Sequence, residues 1–190
     1  MRYEIRFAGS GGQGIVVAGL ILARAGMSGG YHVVHSQNYG PETRGGNSVS
    51  EVMFSDVEID YPRAVALDML VALSQKACDE NLRDMKADGI AIVDSDLVRK
   101  VLWGRVVRTP LQRKAAAGFG DQRFANVIAL GVLVSFCPWI SLRHLRQAVR
   151  EAFPTELLGP NLLAFQEGLR SGRRLRKTVT FEEMEGATEV

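Results

Sequence analysis

The feature that most constrains this chain is a run of glycines placed directly after a short alternating segment: Gly9-Ser10-Gly11-Gly12-Gln13-Gly14. Tyr3, Ile5 and Phe7 alternate with Glu4 and Arg6, the period of two expected of a strand with one face buried. The residues after the run, Ile15 to Ala25, are long, apolar and closed by Gly26, Gly29 and Gly30, which suits a buried helix and its terminus. Gly9, Gly11 and Gly14 fit G-x-G-x-x-G in the strand–turn–helix context that gives the pattern meaning. Glycines let a backbone turn sharply and approach an oxygen-rich ligand, while free N–H groups at the helix start favour a diphosphate. The competing reading is that the glycines only permit close packing of strand on helix. Ile15 stands where a triphosphate-binding loop would place its lysine, which disfavours an ATPase.

The remaining chain reads as more of the same alternation. His32 to Ser36 is a second strand that completes a β–α–β unit, and Asn47 to Phe54 is a third. Ala66–Leu73 and Gly89–Asp94 are short apolar runs on either side of an amphipathic stretch from Gln75 to Met85, and Arg105–Thr109 is an edge strand closed by Pro110. From Asn126 the spacing is helical: Val127, Leu130 and Val134, then Leu142 to Ala152 behind a Ser141 cap, then Leu162 to Leu169. The expected fold is α/β, a Rossmann-like, doubly wound, mostly parallel sheet with a helical C-terminal third. Residues 1–169 form one domain, and residues 170–190 form a charged tail in which Arg173, Arg174, Arg176 and Lys177 precede Glu182, Glu183, Glu185 and Glu189. Acid following base so closely points to a solvated tail that docks on a partner subunit rather than to a nucleic-acid patch.

Composition narrows the function. A net charge of +2 gives no reason to expect nucleic acid, and the longest apolar run, Val127 to Cys137, is short of the roughly 20 residues of a spanning helix. No apolar signal core follows Met1, so a cytoplasmic protein with no membrane association is expected. Cys78 and Cys137 are the two cysteines and make no C-x-x-C pair, too few ligands for an iron–sulfur cluster or a structural zinc. Nothing assembles a catalytic triad. His32 and His35 read as packing or surface residues, and in Asp94-Ser95-Asp96 either Ser95 or Asp96 is expected to cap a following helix. A nicotinamide-binding enzyme needs an acid at the end of the second strand, but Val33-Val34-His35-Ser36-Gln37 has none.

A second loop, Asn38 to Ser48, packs three glycines, Pro41, Glu42 and Arg44 into the expected carboxyl edge of the sheet. Arg44 is suited to a phosphate or a partner carboxylate, or else to a local contact with Glu42. The two loops together, Gly9-Ser10-Gly11-Gly12-Gln13-Gly14-Ile15 and Tyr39-Gly40-Pro41-Glu42-Thr43-Arg44-Gly45-Gly46, resemble the gamma subunit of the 2-oxoacid:ferredoxin oxidoreductases. Ile59-Asp60-Tyr61-Pro62 and Asn126-Val127-Ile128-Ala129-Leu130-Gly131 are similar to further segments of that family, and the resemblance spans residues 3 to 165.

The resemblance implies a multisubunit enzyme that oxidatively decarboxylates a 2-oxoacid to its acyl-coenzyme A and reduces ferredoxin. Alpha, beta and delta-type subunits are the implied partners. It implies thiamine diphosphate, magnesium and iron–sulfur clusters on those other subunits, and coenzyme A at this chain's glycine loop. On that reading Gly9, Ser10, Gly11, Gly12, Gln13 and Gly14 cradle the diphosphate and Arg44 adds charge, with no catalytic or metal-binding residue in the chain. The wording of Tyr39-Gly40-Pro41-Glu42 resembles the 2-oxoglutarate and branched-chain members. The alternatives are a stand-alone NAD(P)-dependent dehydrogenase and a purely structural assembly domain.

Overall fold

The computed structural model describes residues 1–39 and 46–181. Six strands form one sheet in the order β2-β3-β1-β4-β5-β6: β1 Arg2–Ser10, β2 His32–Tyr39, β3 Asn47–Ser55, β4 Leu67–Ala72, β5 Met85–Asp94 and β6 Val106–Thr109. β1, β4, β5 and β6 run parallel, whereas β3 lies antiparallel between β1 and β2. This is the expected α/β, mostly parallel architecture with one correction. β2 runs in the direction of β1 but is not its neighbour, because β3 returns antiparallel to β2 and inserts between the two. Antiparallel neighbours need only a short connection, so the chain closes β2 on β3 before β3 reaches β1.

The helices are α1 Ile15–Ser28, α2 Gln75–Asn81, α3 Leu111–Phe119, α4 Ala125–Val134, α5 Leu142–Ala152 and α6 Thr155–Thr178. One sheet face, carrying Ile5, Phe7, Val52, Phe54, Met69 and Val71, is covered by α1 and by the helices of the C-terminal third. The other face, carrying Ala8, Met53, Leu70, Ala72, Ala91 and Val93, packs on Ala77 and Cys78 of α2. The crossover from β1 therefore leads away on one side of the sheet and the crossover from β4 on the other. The boundary between β1 and β4 is a topological switch point, where a crevice opens outside the carboxyl ends of the strands.

Local sequence explains where elements start and stop. Ser141 caps α5, its hydroxyl accepting from His144 N at 3.3 Å, as expected. No helix follows Asp94, contrary to expectation. Asp94 is itself the cap and is fully buried. Its Oδ1 accepts from Asp96 N at 2.9 Å and Leu97 N at 3.4 Å, and its Oδ2 accepts from Gln112 N at 2.8 Å, in the first turn of α3. A carboxylate beside a helix N-terminus satisfies orphan donors and the helix dipole together. α3 was not apparent from spacing because only Leu111 and Ala115 on it are buried. α6 begins at Thr155, well before Leu162, and runs unbroken through Arg170 to Thr178, with Ser171 and Gly172 buried.

Candidate functional site

The glycine turn sits at the switch point. Gly9 and Ser10 still belong to β1, paired with Ser48 and Asn47 of β3. The turn then spends several of its polar groups on itself. Ser10 N donates to Gln13 Oε1 at 2.6 Å, Gln13 N donates to Ser10 O at 3.2 Å, and Gln13 Nε2 donates to Leu73 O at 3.1 Å, just beyond β4. Gln13 is thus a strut across the β1–β4 boundary rather than a spare donor. Gly11 N donates to Gly46 O at 2.9 Å, which brings the end of the second loop against the first. Arg44 and the rest of residues 40–45 lie outside the described residues.

The motif glycines divide by role. A Cβ on Gly9 would stand 2.4 Å from Gln13 Oε1 and 2.9 Å from Ile15 Cδ1, and one on Gly14 would stand 2.3 Å from Asn126 Nδ2. These two glycines are explained by packing, and Gly14 also by its φ of 71°. Gly12 differs, with φ 91° and no heavy atom within 4 Å of a Cβ placed on it. Its left-handed backbone is needed for the turn, and among the described residues its Cβ side is open. Among the described residues, the N–H groups of Gly12 and Gly14 and those of Ile15 and Val16 in the first turn of α1 have no partner. The Ser10 hydroxyl has none either. No acidic residue occupies the first turn of α1. The arrangement is a set of converging donors at the positive end of a helix, suited to an anion.

Asn126 is the site residue that reading the sequence did not single out for a role. Its Nδ2 donates to Gly14 O at 3.0 Å and its Oδ1 accepts from Val127 N at 2.8 Å, so the start of α4 holds the start of α1 from behind. The signal for it was the Asn126-to-Gly131 segment. His35 is a packing residue as expected, its Nε2 2.8 Å from Ser50 Oγ, and burial lowers its pKa below the usual imidazole value. Cys78 and Cys137 are both buried, and burial pushes their thiols up to about 11.

A polar cleft of about 830 Å³ lies on the opposite sheet face, beside β2 and β3. At its floor the buried Arg6 is paired to Glu51 at 2.6 Å and to Asp84, and also bonded to Asn81 Oδ1 at 3.0 Å. At the floor of the cleft these three charges satisfy one another. Among the described residues no helix is long and apolar enough to cross a membrane, and no cluster of His, Cys, Asp and Glu is placed to hold a metal.

Comparison with known proteins gives this geometry its context. Residues 4–171 match the pyruvate ferredoxin/flavodoxin oxidoreductase family. The 2-oxoglutarate synthase subunit KorC of Methanothermobacter marburgensis is 38% identical over 180 residues, covering 88% of this chain and 95% of that protein. The crystal structure of a keto/oxoacid ferredoxin oxidoreductase gamma subunit from Geobacter sulfurreducens superposes with a TM-score of 0.83 at 39% identity, covering 92% of this chain and 98% of the other. A 2-oxoglutarate:ferredoxin oxidoreductase from Magnetococcus marinus, solved with 2-oxoglutarate, coenzyme A and succinyl-CoA bound, superposes with a TM-score of 0.81 at 25% identity. That match covers 96% of this chain and 32% of the longer one. With the two-loop resemblance, the switch-point turn and these matches in agreement, the chain belongs to the pyruvate ferredoxin/flavodoxin oxidoreductase family, as a gamma-type subunit of a 2-oxoacid:ferredoxin oxidoreductase.

Proposed function

We propose that this subunit receives the phosphates of coenzyme A at the glycine turn of an oxidoreductase acting on 2-oxoglutarate. The observation that carries the reading is the row of unpartnered donors on Gly12, Gly14, Ile15 and Val16 beside an open Gly12, at the topological switch point. The donor chemistry fits a diphosphate: several N–H groups, the Ser10 hydroxyl, a helix dipole and no carboxylate in the first turn. Coenzyme A, when bound, supplies the thiol that accepts the acyl group. What this chain's own residues do is bind and orient. Gln13 and Asn126 hold the turn rigid from the inside, so the free amides are organised before the anion arrives and little ordering cost remains. Gly9, Ser10 and Gly11 shape the cradle, and Arg44 is proposed to add a positive charge from the second loop, whose end at Gly46 is bonded to Gly11.

Thiamine diphosphate, magnesium and the iron–sulfur clusters are assigned to alpha, beta and delta-type partner subunits, with ferredoxin as acceptor, in the cytoplasm. Two buried, unpaired cysteines fit a chain with no redox centre of its own. The charged segment from Arg170 onward is proposed to dock on one of these partners. The 2-oxoglutarate assignment is supported by the 38% identity to a 2-oxoglutarate synthase subunit. Turnover of the purified complex on a panel of 2-oxoacids tests it: 2-oxoglutarate is expected to be preferred and turnover to require coenzyme A. A preference for pyruvate, or activity of the isolated chain as an NAD-dependent dehydrogenase, would overturn it.

A further inference from the structure

The two edges of the sheet are finished differently. β6, at one edge, is four residues long, carries Arg108 and stops at Pro110. A short, charged strand closed by proline is how proteins keep an edge from pairing with another chain. β2, at the other edge, has none of these devices. It is eight residues long, His32–Tyr39, with the sequence HVVHSQNY, free of lysine, arginine, acid and proline. It pairs with β3 residue for residue from His32 opposite Ser55 to Tyr39 opposite Ser48, with no bulge to twist it away. Among the described residues no strand lies beyond it.

We infer that β2 is a pairing edge, and that its occupant is β2 of a second copy of this chain, the two sheets joining antiparallel about a two-fold axis into one twelve-stranded sheet. Three observations select the copy. First, a symmetric pair sets each residue type against its own strand, and like charges directly opposite are destabilising. β2 has no formal charge, so a copy meets no repulsion, and a charged partner strand would find nothing to select it. Second, among the described residues one edge of the sheet is open and the other is blunted. Isologous pairing therefore closes at two copies and leaves the blunted β6 at both ends, with no route to a fibre. Third, the axis stands perpendicular to the sheet and keeps the faces matched. The side of β2 that packs under α1 through His35 and Gly19 continues onto the same side of its partner, so neither copy must bury a polar face under a helix.

The inference is independent of the coenzyme A reading, since it involves neither the glycine turn nor its donors. The test uses the full chain and exposed positions at the two ends of β2. His32 and Asn38 are exposed, share the face away from α1, and their side chains make no bond among the described residues. The wild-type chain is expected to sediment with twice the mass of a single chain. The double variants H32K/N38K and H32E/N38E are each expected to sediment as monomers with unchanged circular dichroism. Mixed in equal amounts they are expected to recover a dimer containing one copy of each, because lysine then faces glutamate across the axis. A monomeric or polydisperse wild type would overturn the proposal. So would a dimer that survives in H32K/N38K, or two monomeric variants that fail to pair when mixed.

Discussion

Replacing Gly168 by alanine tests how α4 and α6 meet. The two helices cross with glycine against glycine. A Cβ on Gly168 would stand 2.1 Å from Ile128 O and 2.9 Å from Gly131 Cα, and one on Gly131 would stand 2.4 Å from Phe165 O. All of these are backbone atoms, so no side chain can swing aside. Reaching ordinary contact at roughly 3.5 Å from Ile128 O requires the helices to separate by about 1.4 Å. That separation would loosen the packing of Ile128, Val132, Phe165 and Leu169, which are buried there. Overpacking of this kind costs about 1–3 kcal/mol, and the rigid neighbours place it at the upper end. Alanine recovers up to about 1 kcal/mol of helix propensity, so the net loss is about 2 kcal/mol. For a chain of this length that lowers the melting temperature by roughly 4–8 °C. The control is Gly118→Ala in α3, where a Cβ meets nothing within 4 Å and the propensity gain stands alone. Thermal unfolding at one fixed protein concentration should move the two variants in opposite directions. A Gly168→Ala protein as stable as the wild type would refute the backbone-on-backbone crossing.

Acidification should cost stability through His35. Burial holds its folded pKa below the unfolded value of 6.5, so the unfolded chain binds the proton first, and stability is full above that value and falls as pH drops below it. Denaturant midpoints measured from pH 7.5 to 5.5 should show this fall, and His35→Gln should flatten it. Cys78 and Cys137, with thiols raised to about 11, should resist iodoacetamide in the folded chain at pH 7.5 and react after denaturation, as read by mass spectrometry. Asp94→Ala leaves three backbone donors without their carboxylate and should destabilise the chain by about 3 kcal/mol or more, measured by urea unfolding.

What could be read from the sequence followed from local physics. The strand, turn and helix from Tyr3 to Ala25 were legible because alternation, glycines and an apolar run each report on a few adjacent residues. The insertion of β3 between β1 and β2 was not, since strand partners are chosen by contacts across tens of residues. α3 left too faint a stripe, with two buried side chains in nine residues. Asp94 was misassigned to its neighbours because the helix it caps begins seventeen positions later. The glycine turn was located correctly, but its division of labour was hidden. Spacing alone does not tell that Gln13 reaches back to Leu73, that Gly14 makes room for Asn126, or that Gly12 has open space beside it among the described residues.

The central claim, that this turn receives coenzyme A, is tested most directly by the apparent KM for coenzyme A in a complex assembled with Gly12→Val. The side chain would enter the space above the turn, where its Cβ meets nothing within 4 Å among the described residues, while the left-handed backbone costs about 1–2 kcal/mol of local strain. Losing hydrogen bonds to a charged phosphate is worth about 1.5–3 kcal/mol, roughly a tenfold rise in KM or more. Decarboxylation of the oxoacid, measured without coenzyme A, should be unchanged in the same preparation, and the subunits should co-purify in their normal ratio. An intact Gly12→Val complex with wild-type coenzyme A kinetics would remove the turn from the ligand site.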